Sequence, residues 1–266
     1  MFKGFKLEDI DFGENLSYFK NLGLGLYENY NSQIKKSLNS FLLNDNSLDG
    51  SKIINSWFPQ INAHIFISHS HKDESKVIAL SGWLFKTFGI KSFIDSCIWG
   101  YGNELIQILD NEYSWMDEVN KIYYYNKVLD SASHVHMMLS TTLNAMIDKT
   151  ECLIFYDTPN SIEPFETIDK TCSPWIYSEI AFSQIVKIRL PSRLSKVIKE
   201  ERYLSADGAD HFEKALKVKY DVDSSHLKEI DISTLIEWSK YSQLSNAEDA
   251  LDKLYELTFP ITKLHG

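Results

Sequence analysis

Cysteine is scarce in this chain of 266 residues, and the three that occur, Cys97, Cys152 and Cys172, are scattered. An odd, widely spaced set does not form the framework of a disulfide-stapled protein. No apolar run reaches the length of about 18 residues that marks a membrane-spanning helix. The N-terminal stretch MFKGFKLEDIDFGENL lacks the apolar centre of a signal peptide. We therefore expect a soluble cytoplasmic protein with free thiols and no membrane partner.

Positive charge is also in deficit, since the formal net charge is −10. Duplex nucleic acid is bound mainly through cationic side chains, so no nucleic-acid partner is expected. Internal repeats and low-complexity segments are absent. The 44% of hydrophobic residues is enough for the core of one large domain, or of one domain with an extension.

The N-terminal part of the chain has a helical apolar stripe between residues 16 and 43. The turn-rich sequence NDNSLDGS follows it at residues 44–51. This break predicts a helical N-terminal extension over residues 1–55, separate from a main domain over residues 62–266.

Short apolar runs alternate with helical patterns in the main domain. HIFIS, IKSFID and CLIFYD read as buried strands, and ESKVIALSGWLFKTFG reads as a helix that ends at Gly89. A long, mostly helical segment is expected around residues 104–150. The alternation predicts an α/β fold with a parallel sheet and helices on both faces. Later in the chain, VIKEERYLS and ALKVKYDVD are candidate strands, and NAEDALDKLYELTF is the predicted last helix.

Polar side chains follow each predicted strand. The segments concerned are residues 68–73, residues 95–102 and the stretch from Asp157 onward. Ligands of open parallel sheets bind outside the carboxyl ends of the strands. The topology alone therefore predicts that these residues gather around one cleft.

The stretch TCSPWIYSEIAFSQIV is predicted to be a helix, because Ser173 suits an N-cap and Pro174 suits the first helical position. Helical spacing places on one face Trp175, Glu179, Phe182 and Val186. Glu179 is the only polar member of that face. A carboxylate flanked by aromatic rings is poorly solvated unless it borders a cavity, so Glu179 is the main candidate for a functional residue.

Four pieces of this sequence, HIFISHSHKDE, FGIKSFID, SCIWGYGNEL and SPWIYSE, together resemble the TIR domain family over residues 63–186. The family implies a flavodoxin-like fold in which SCIWGYGNEL is a loop after the second strand. The chain departs from a minimal TIR domain in its long segment between the second and third strands. It also departs from that pattern after Arg189, where clear family strands are missing.

The resemblance also implies an activity. Glu179 matches the catalytic glutamate of TIR enzymes that cleave NAD at the nicotinamide–ribose bond. Trp175, Ser68, His69 and Asp95 are the implied lining of the substrate cleft. NAD would be the substrate and not a cofactor.

One carboxylate is chemically sufficient for this reaction. Ordinary glycosides need a second carboxyl to protonate the leaving oxygen. The nicotinamide of NAD is attached as a pyridinium and leaves as a neutral base. A carboxylate that stabilises the oxocarbenium-like charge on the ribose therefore remains the main requirement, and no metal is needed.

The resemblance extends to partners. The sequence is similar to that of the TIR component of Thoeris-type antiphage systems, and no second effector domain is recognisable in the chain. We therefore expect an ADP-ribose-derived signal, linear, cyclic or conjugated, that reaches a separate effector protein. Self-assembly through the glycine-bearing loop, with Trp99 at the contact, is a further expectation from the family.

Two alternatives remain open. The first is a non-catalytic TIR interaction module, in which Glu179 is an ordinary helix residue. The second is a metal-dependent hydrolase that uses His69, His71 and Asp73, although Glu74 stands where that motif has a further histidine.

Three weaker candidates complete the sequence hypotheses. His134 and His136 are two residues apart, so a helix would point them to different faces, and one of them could reach the cleft. A Cys–His nucleophile built on Cys97 or Cys172 has no supporting spacing.

Overall fold

A five-stranded parallel sheet forms the centre of the protein. The computed structural model describes residues 1–31, 38–45, 47–58, 60–163, 169–194, 218–244 and 246–259, and at 27–31, 39 and 97–100 it describes the backbone only. The strands are β1 (Lys3–Glu8), β2 (Ile65–Ser68), β3 (Ser92–Ile94), β4 (Trp115–Asp117), β5 (Ile122–Tyr123), β6 (Cys152–Asp157), β7 (Lys170–Thr171), β8 (Tyr220–Asp221) and β9 (Lys228–Ile230). The helices are α1 (Leu16–Asn31), α2 (Gly50–Trp57), α3 (Glu74–Phe88), α4 (Ser96–Tyr113), α5 (Tyr125–Lys149), α6 (Pro174–Ile185), α7 (Ile232–Ser239) and α8 (Ala247–Thr258).

The strand order in the main sheet is β3-β2-β6-β1-β9, and every neighbouring pair is parallel. Successive side chains of a strand enter two different cores. Ile65 and Ile67 of β2 pack into one core, while Phe66 packs into the other. Helices α3, α7 and α8 contribute to the first core, and α2, α4, α5 and α6 to the second. The predicted α/β fold, with a parallel sheet covered on both faces, is confirmed.

The N-terminal segment is part of this sheet, which contradicts the prediction of a separate extension. β1 pairs with β6 along its whole length and with β9 through three residues. Phe5 and Leu7 of β1 are fully buried. Helix α1 follows as expected, but it packs against α3 of the main domain. The alternation of polar and apolar residues in MFKGFKLE was too short and too charged to stand out beside the helical pattern that follows.

The sheet order is that of a flavodoxin-like fold with one strand drawn from the N-terminus. Such a sheet has the order 2-1-3-4-5. Counting from β2, the strands β3, β2 and β6 take positions 2, 1 and 3. β1 fills position four and β9 fills position five. The N-terminal segment therefore supplies an interior strand.

Several predicted helices are present with the expected ends. α3 ends at Gly89, whose φ of +70° is the left-handed conformation that glycine adopts at a helix C-terminus. Ser173 caps α6, where its side chain accepts a hydrogen bond from the amide of Ile176, and Pro174 is the first helical residue. The predicted last helix is α8. The long segment between the second and third predicted strands consists of α4, the β4–β5 hairpin and α5.

One other local prediction is wrong, and another is confirmed only in part. The sequence SCIWGYGNE is not a loop, because it forms the first turns of α4. Gly102 packs there beside α5, where an added Cβ would lie 3.5 Å from Leu139. The described part of ALKVKYDVD, residues 218–223, contains the short strand β8, which pairs with β7 in a separate two-stranded sheet and not in the main one. VIKEERYLS and the side chain of Trp99 lie outside the described part of the chain, so assembly through Trp99 stays a prediction.

None of the helices that the structure describes is both long enough and apolar enough to cross a membrane.

Candidate functional site

The candidate site lies at the carboxyl ends of β2 and β3. The connection from β2 to β3 passes over one face of the sheet through α3. The connection from β3 to β6 passes over the other face through α4 and α5. The connection that leaves β6 runs through α6, on the face opposite α3, toward β9 at the other edge of the sheet. The chain therefore leaves the adjacent strands β2 and β6 in opposite directions, and the carboxyl ends of these two strands form the switch point where parallel sheets bind ligands. The topology therefore brings the polar segments that follow the strands to one edge of the sheet.

Four of the predicted site residues lie at this end of the sheet and are closed to solvent. The exposed fractions are 0% for Ser68, 3% for His69, 2% for Asp95 and 1% for Glu179. Ser68 is the last residue of β2, His69 follows it, and Asp95 follows β3. Glu179 comes from the second turn of α6. We call these four residues the buried polar cluster.

His69 and Asp95 form the closest contact in the buried polar cluster. Nδ1 of His69 lies 2.8 Å from Oδ1 of Asp95, although the ring does not direct an N–H group at that oxygen. Burial lowers the pKa of His69, but the charge of Asp95, helped by Glu74 and Asp73, outweighs burial and raises that pKa overall. The attraction therefore favours an imidazolium–carboxylate ion pair.

Glu179 is the buried carboxyl of the cluster with the fewest interactions to offset the cost of its burial. Neither of its carboxyl oxygens makes a well-directed hydrogen bond to a described group. Ser68 and Asp95 nevertheless lie near enough to affect its ionisation. Burial is the first cause that raises the pKa of Glu179 well above its ordinary value, and the negative charge of Asp95 is the second. The Ser68 hydroxyl acts in the opposite direction and is outweighed.

The buried face of α6 differs from the predicted one by a rotation of one residue. Glu179 shares it with Ile176, Ile180 and Ser183. Trp175 is only half-buried. Both the predicted and the observed face contain Glu179, but on the observed face its neighbours are two isoleucines and a serine in place of aromatic residues.

Trp175 lies one turn before Glu179 and forms an aromatic contact with α5. Its ring centroid is 5.9 Å from that of His136, and the two rings are nearly perpendicular. His136 is exposed and His134 is also exposed. Of the two histidines on α5, His136 therefore has the contact with a predicted site residue.

The three residues of the metal alternative have different surroundings. His69 is in the buried polar cluster, whereas His71 is exposed. Asp73 is buried and accepts hydrogen bonds from the Thr158 hydroxyl at 2.5 Å and from the Asn160 amide at 2.8 Å. No group of three or more His, Cys, Asp or Glu side chains converges as a metal site among the described residues.

Thr158 and Asn160 are residues that the sequence reasoning did not single out. Through Asp73 they hold the segment after β6 against the segment after β2, across 85 and 87 residues of chain. The available signal was topological, since both follow a predicted strand at the same edge of the sheet. Their pairing with Asp73 in particular depends on the folded sheet order.

The described residues give no geometric support to a Cys–His nucleophile. Cys172 is an exposed free thiol whose sulfur contacts a carboxyl oxygen of Glu163 at 3.9 Å. Cys152 is buried in β6. The side chain of Cys97 is outside the described side chains.

No protein-family model, curated protein or solved structure matches the chain.

Proposed function

We propose that the protein is a TIR-like enzyme that cleaves NAD at the nicotinamide–ribose bond, with Glu179 as its catalytic residue. The observation that carries the proposal is the fully buried Glu179 carboxyl, without a directed hydrogen bond to any described group, at the switch point of a flavodoxin-like sheet. Carboxylates are almost never buried in this way for packing alone. Perturbed, buried titratable groups at a ligand-binding edge are typical of functional sites.

The proposed chemistry requires little of the protein beyond charge placement. The bond between C1′ of the ribose and the pyridinium nitrogen breaks, and its electron pair neutralises the nicotinamide ring. Water, or another hydroxyl group, then bonds to C1′ and loses a proton. The Glu179 carboxylate would stabilise the positive charge on the ribose between the two steps, when it is ionised beside the cationic substrate.

The other members of the proposed site have supporting roles. The Ser68 hydroxyl lies beside the Glu179 carboxyl. When substrate is bound, this hydroxyl could instead donate a hydrogen bond to a ribose hydroxyl. Trp175 offers a half-buried ring one turn away, suited to contact with nicotinamide. The signalling role of the product and the separate effector are proposed from the resemblance of the motifs.

The burial of the cluster favours one alternative, a non-catalytic interaction module. A dinucleotide cannot reach a carboxyl that is 1% exposed unless the structure opens at that point. The enzyme proposal therefore includes an opening of the cluster, whereas an interaction module has no need of one.

Nicotinamide release from NAD distinguishes these functions. Glu179→Gln keeps the size of the side chain but removes its charge, and we expect a loss of about 10²–10³-fold in turnover. Glu112→Gln changes an exposed glutamate on α4 in the same way and should leave the rate unchanged. Equal rates for wild type and Glu179→Gln, or no release by the wild type at any protein concentration, would exclude Glu179 catalysis.

A further inference from the structure

The buried polar cluster has an unusual balance of charge. It contains two carboxyl groups, on Asp95 and Glu179, and a single imidazole, on His69. All three are at least 97% buried. If both carboxyls were ionised, even a protonated His69 would leave a net negative charge in a region closed to water. An uncompensated buried charge is costly, and groups in that position change protonation state instead.

The geometry indicates which carboxyl carries the proton. Asp95 has a partner at 2.8 Å in His69, whose imidazole is cationic when it is protonated. Glu179 has no cation and no directed hydrogen bond among the described residues. A proton on Glu179, with His69 positive and Asp95 negative, makes the cluster neutral.

We propose that the His69–Asp95 pair keeps Glu179 protonated while the cluster is closed, and that a cationic ligand enters in exchange for that proton. The proton passes to solvent, and the carboxylate becomes the counter-ion of the ligand. His69 and Asp95 thus act through Glu179 as positioning residues. The choice of a pyridinium as the cation rests on the proposed function.

The other described acidic groups that act on His69 already have hydrogen-bond partners. Asp73, near His69, is held by Thr158 and Asn160. Glu74 accepts a hydrogen bond from Ser96 at 3.4 Å.

The elements packed against α6 supply the remaining titratable groups. On the side of α5, His136 contacts Trp175. On the side of β7 and β8, Lys170 is paired with Asp221 at 2.5 Å. His226 lies 2.7 Å from the Ser183 hydroxyl. Among the described residues, Asp95 is therefore the charged group that faces Glu179 directly.

The proposed exchange predicts that the site distinguishes two ligands of the same shape by their charge. A pyridinium replaces the proton electrostatically, whereas a neutral pyridine of the same size does not. Binding of the cation should strengthen as the pH rises toward the pKa of Glu179, because the competing proton is then held less tightly. Binding of the neutral ring should not change over the same range.

The first measurement needs no ligand. Infrared difference spectra of wild type and Glu179→Gln at about pH 6, above the ordinary titration range of glutamic acid, should show one carboxylic-acid carbonyl band that belongs to Glu179. Asp95→Asn removes the facing charge, so the same band should disappear at a lower pH. Glu112→Gln should retain the wild-type band. Absence of the Glu179 band, or an unchanged titration in Asp95→Asn, would overturn the proposal.

The second measurement counts protons by calorimetry in two buffers that differ in protonation enthalpy. 1-Methylnicotinamide is a pyridinium that lacks the scissile ribose, and nicotinamide is its neutral counterpart. We expect about one proton released per 1-methylnicotinamide bound, none for nicotinamide, and none for either in Glu179→Gln. Binding of 1-methylnicotinamide without proton release, or release that persists in Glu179→Gln, contradicts the exchange.

The two proposals fail in different ways. An infrared band from Glu179 with no nicotinamide release from NAD would reject the proposed function and leave the protonated cluster in place. NAD cleavage that depends on Glu179, without that band, would reject the exchange alone.

Discussion

At the scale of single residues, the predicted site and the observed one agree where strand ends decide the position. Ser68 ends β2, His69 follows it and Asp95 follows β3, so the sheet alone brings these residues to one edge. Glu179 was identifiable because a lone carboxyl interrupts an apolar helix face. The half-buried ring contact between Trp175 and His136 was not predictable, because it depends on how α5 and α6 pack.

Glu179 should make the protein less stable as the pH rises. Its pKa is raised in the folded state, so the folded protein holds the proton more tightly than the unfolded chain does. The contribution of Glu179 to stability is then greatest below the ordinary glutamic acid pKa of about 4.3, and this contribution falls as the pH approaches the raised value. Glu179→Gln cannot ionise, so its stability relative to wild type should increase over that interval, by about 1–3 kcal/mol.

Urea denaturation at a series of pH values measures this effect. The quantity to compare is the slope of the unfolding free energy against pH, because any fixed packing difference between Glu and Gln shifts all points equally. Glu112→Gln, at an exposed position, should follow the wild type at every pH. Parallel curves for wild type and Glu179→Gln would show that Glu179 is ionised in the folded protein.

Asp95 should control the titration of His69. Burial lowers the pKa of the imidazole, and the charge of Asp95 reverses that effect. Asp95→Asn should therefore move the pKa of His69 from above its ordinary value of about 6.5 to below it. Imidazole resonances followed by NMR measure the change directly. His226 is the internal reference, because its lowered pKa arises mainly from burial and Asp95 is not among the groups that affect it. An unchanged His69 titration would mean that the 2.8 Å contact does not carry an ion pair.

At the scale of elements, helices with clear end signals were predictable and elements that depend on neighbours were not. The Ser173 cap and the Gly89 stop are local signals, so α6 and the end of α3 follow from the sequence. β1 is stabilised by pairing with β6 and β9 and not by an apolar run. The start of α4 contains two glycines that favour a turn, but one of them, Gly102, packs beside α5 in a helix.

The contact between α1 and α3 depends on two glycines. A Cβ on Gly82 would lie 2.0 Å from the carbonyl oxygen of Phe19, and a Cβ on Gly23 would lie 2.1 Å from that of Ile78. Both obstacles are backbone atoms, so the helices would have to move apart. Gly82→Ala should destabilise the protein by about 1–3 kcal/mol or more, as overpacking does.

Gly25→Ala is the matched control on α1. A Cβ at Gly25 meets nothing within 4 Å, so the change should be neutral or stabilising by about 0.5–1 kcal/mol through helix propensity. Chemical denaturation of the two variants beside wild type gives both values. A Gly82→Ala variant as stable as Gly25→Ala would show that α1 is not packed closely on α3.

At the scale of the whole molecule, the fold class was predictable but the chain path through the sheet was not. Alternating strand and helix patterns are sufficient for a parallel α/β sheet. The position of β1 requires knowing that β6 and β9 leave a gap between them, and no local pattern contains that information. The chain segment before residue 60 therefore contributes an interior strand, a packed helix and α2, whose Ile53 and Trp57 lie in the second core.

This topology predicts that residues 60–266 do not fold alone. Without β1, the strands β6 and β9 have no common neighbour, and the first core lacks Phe5 and Leu7. An unpaired interior edge leaves backbone amides and carbonyls without partners. We expect the fragment to show no cooperative thermal transition by circular dichroism. Co-expression with residues 1–58 should restore the transition. A break at Pro59 leaves β1 intact in one piece and its partners β6 and β9 intact in the other. If residues 60–266 alone melted cooperatively near the temperature of the full chain, residues 1–55 would be a separate extension after all, and the sheet order reported for β1 would be wrong.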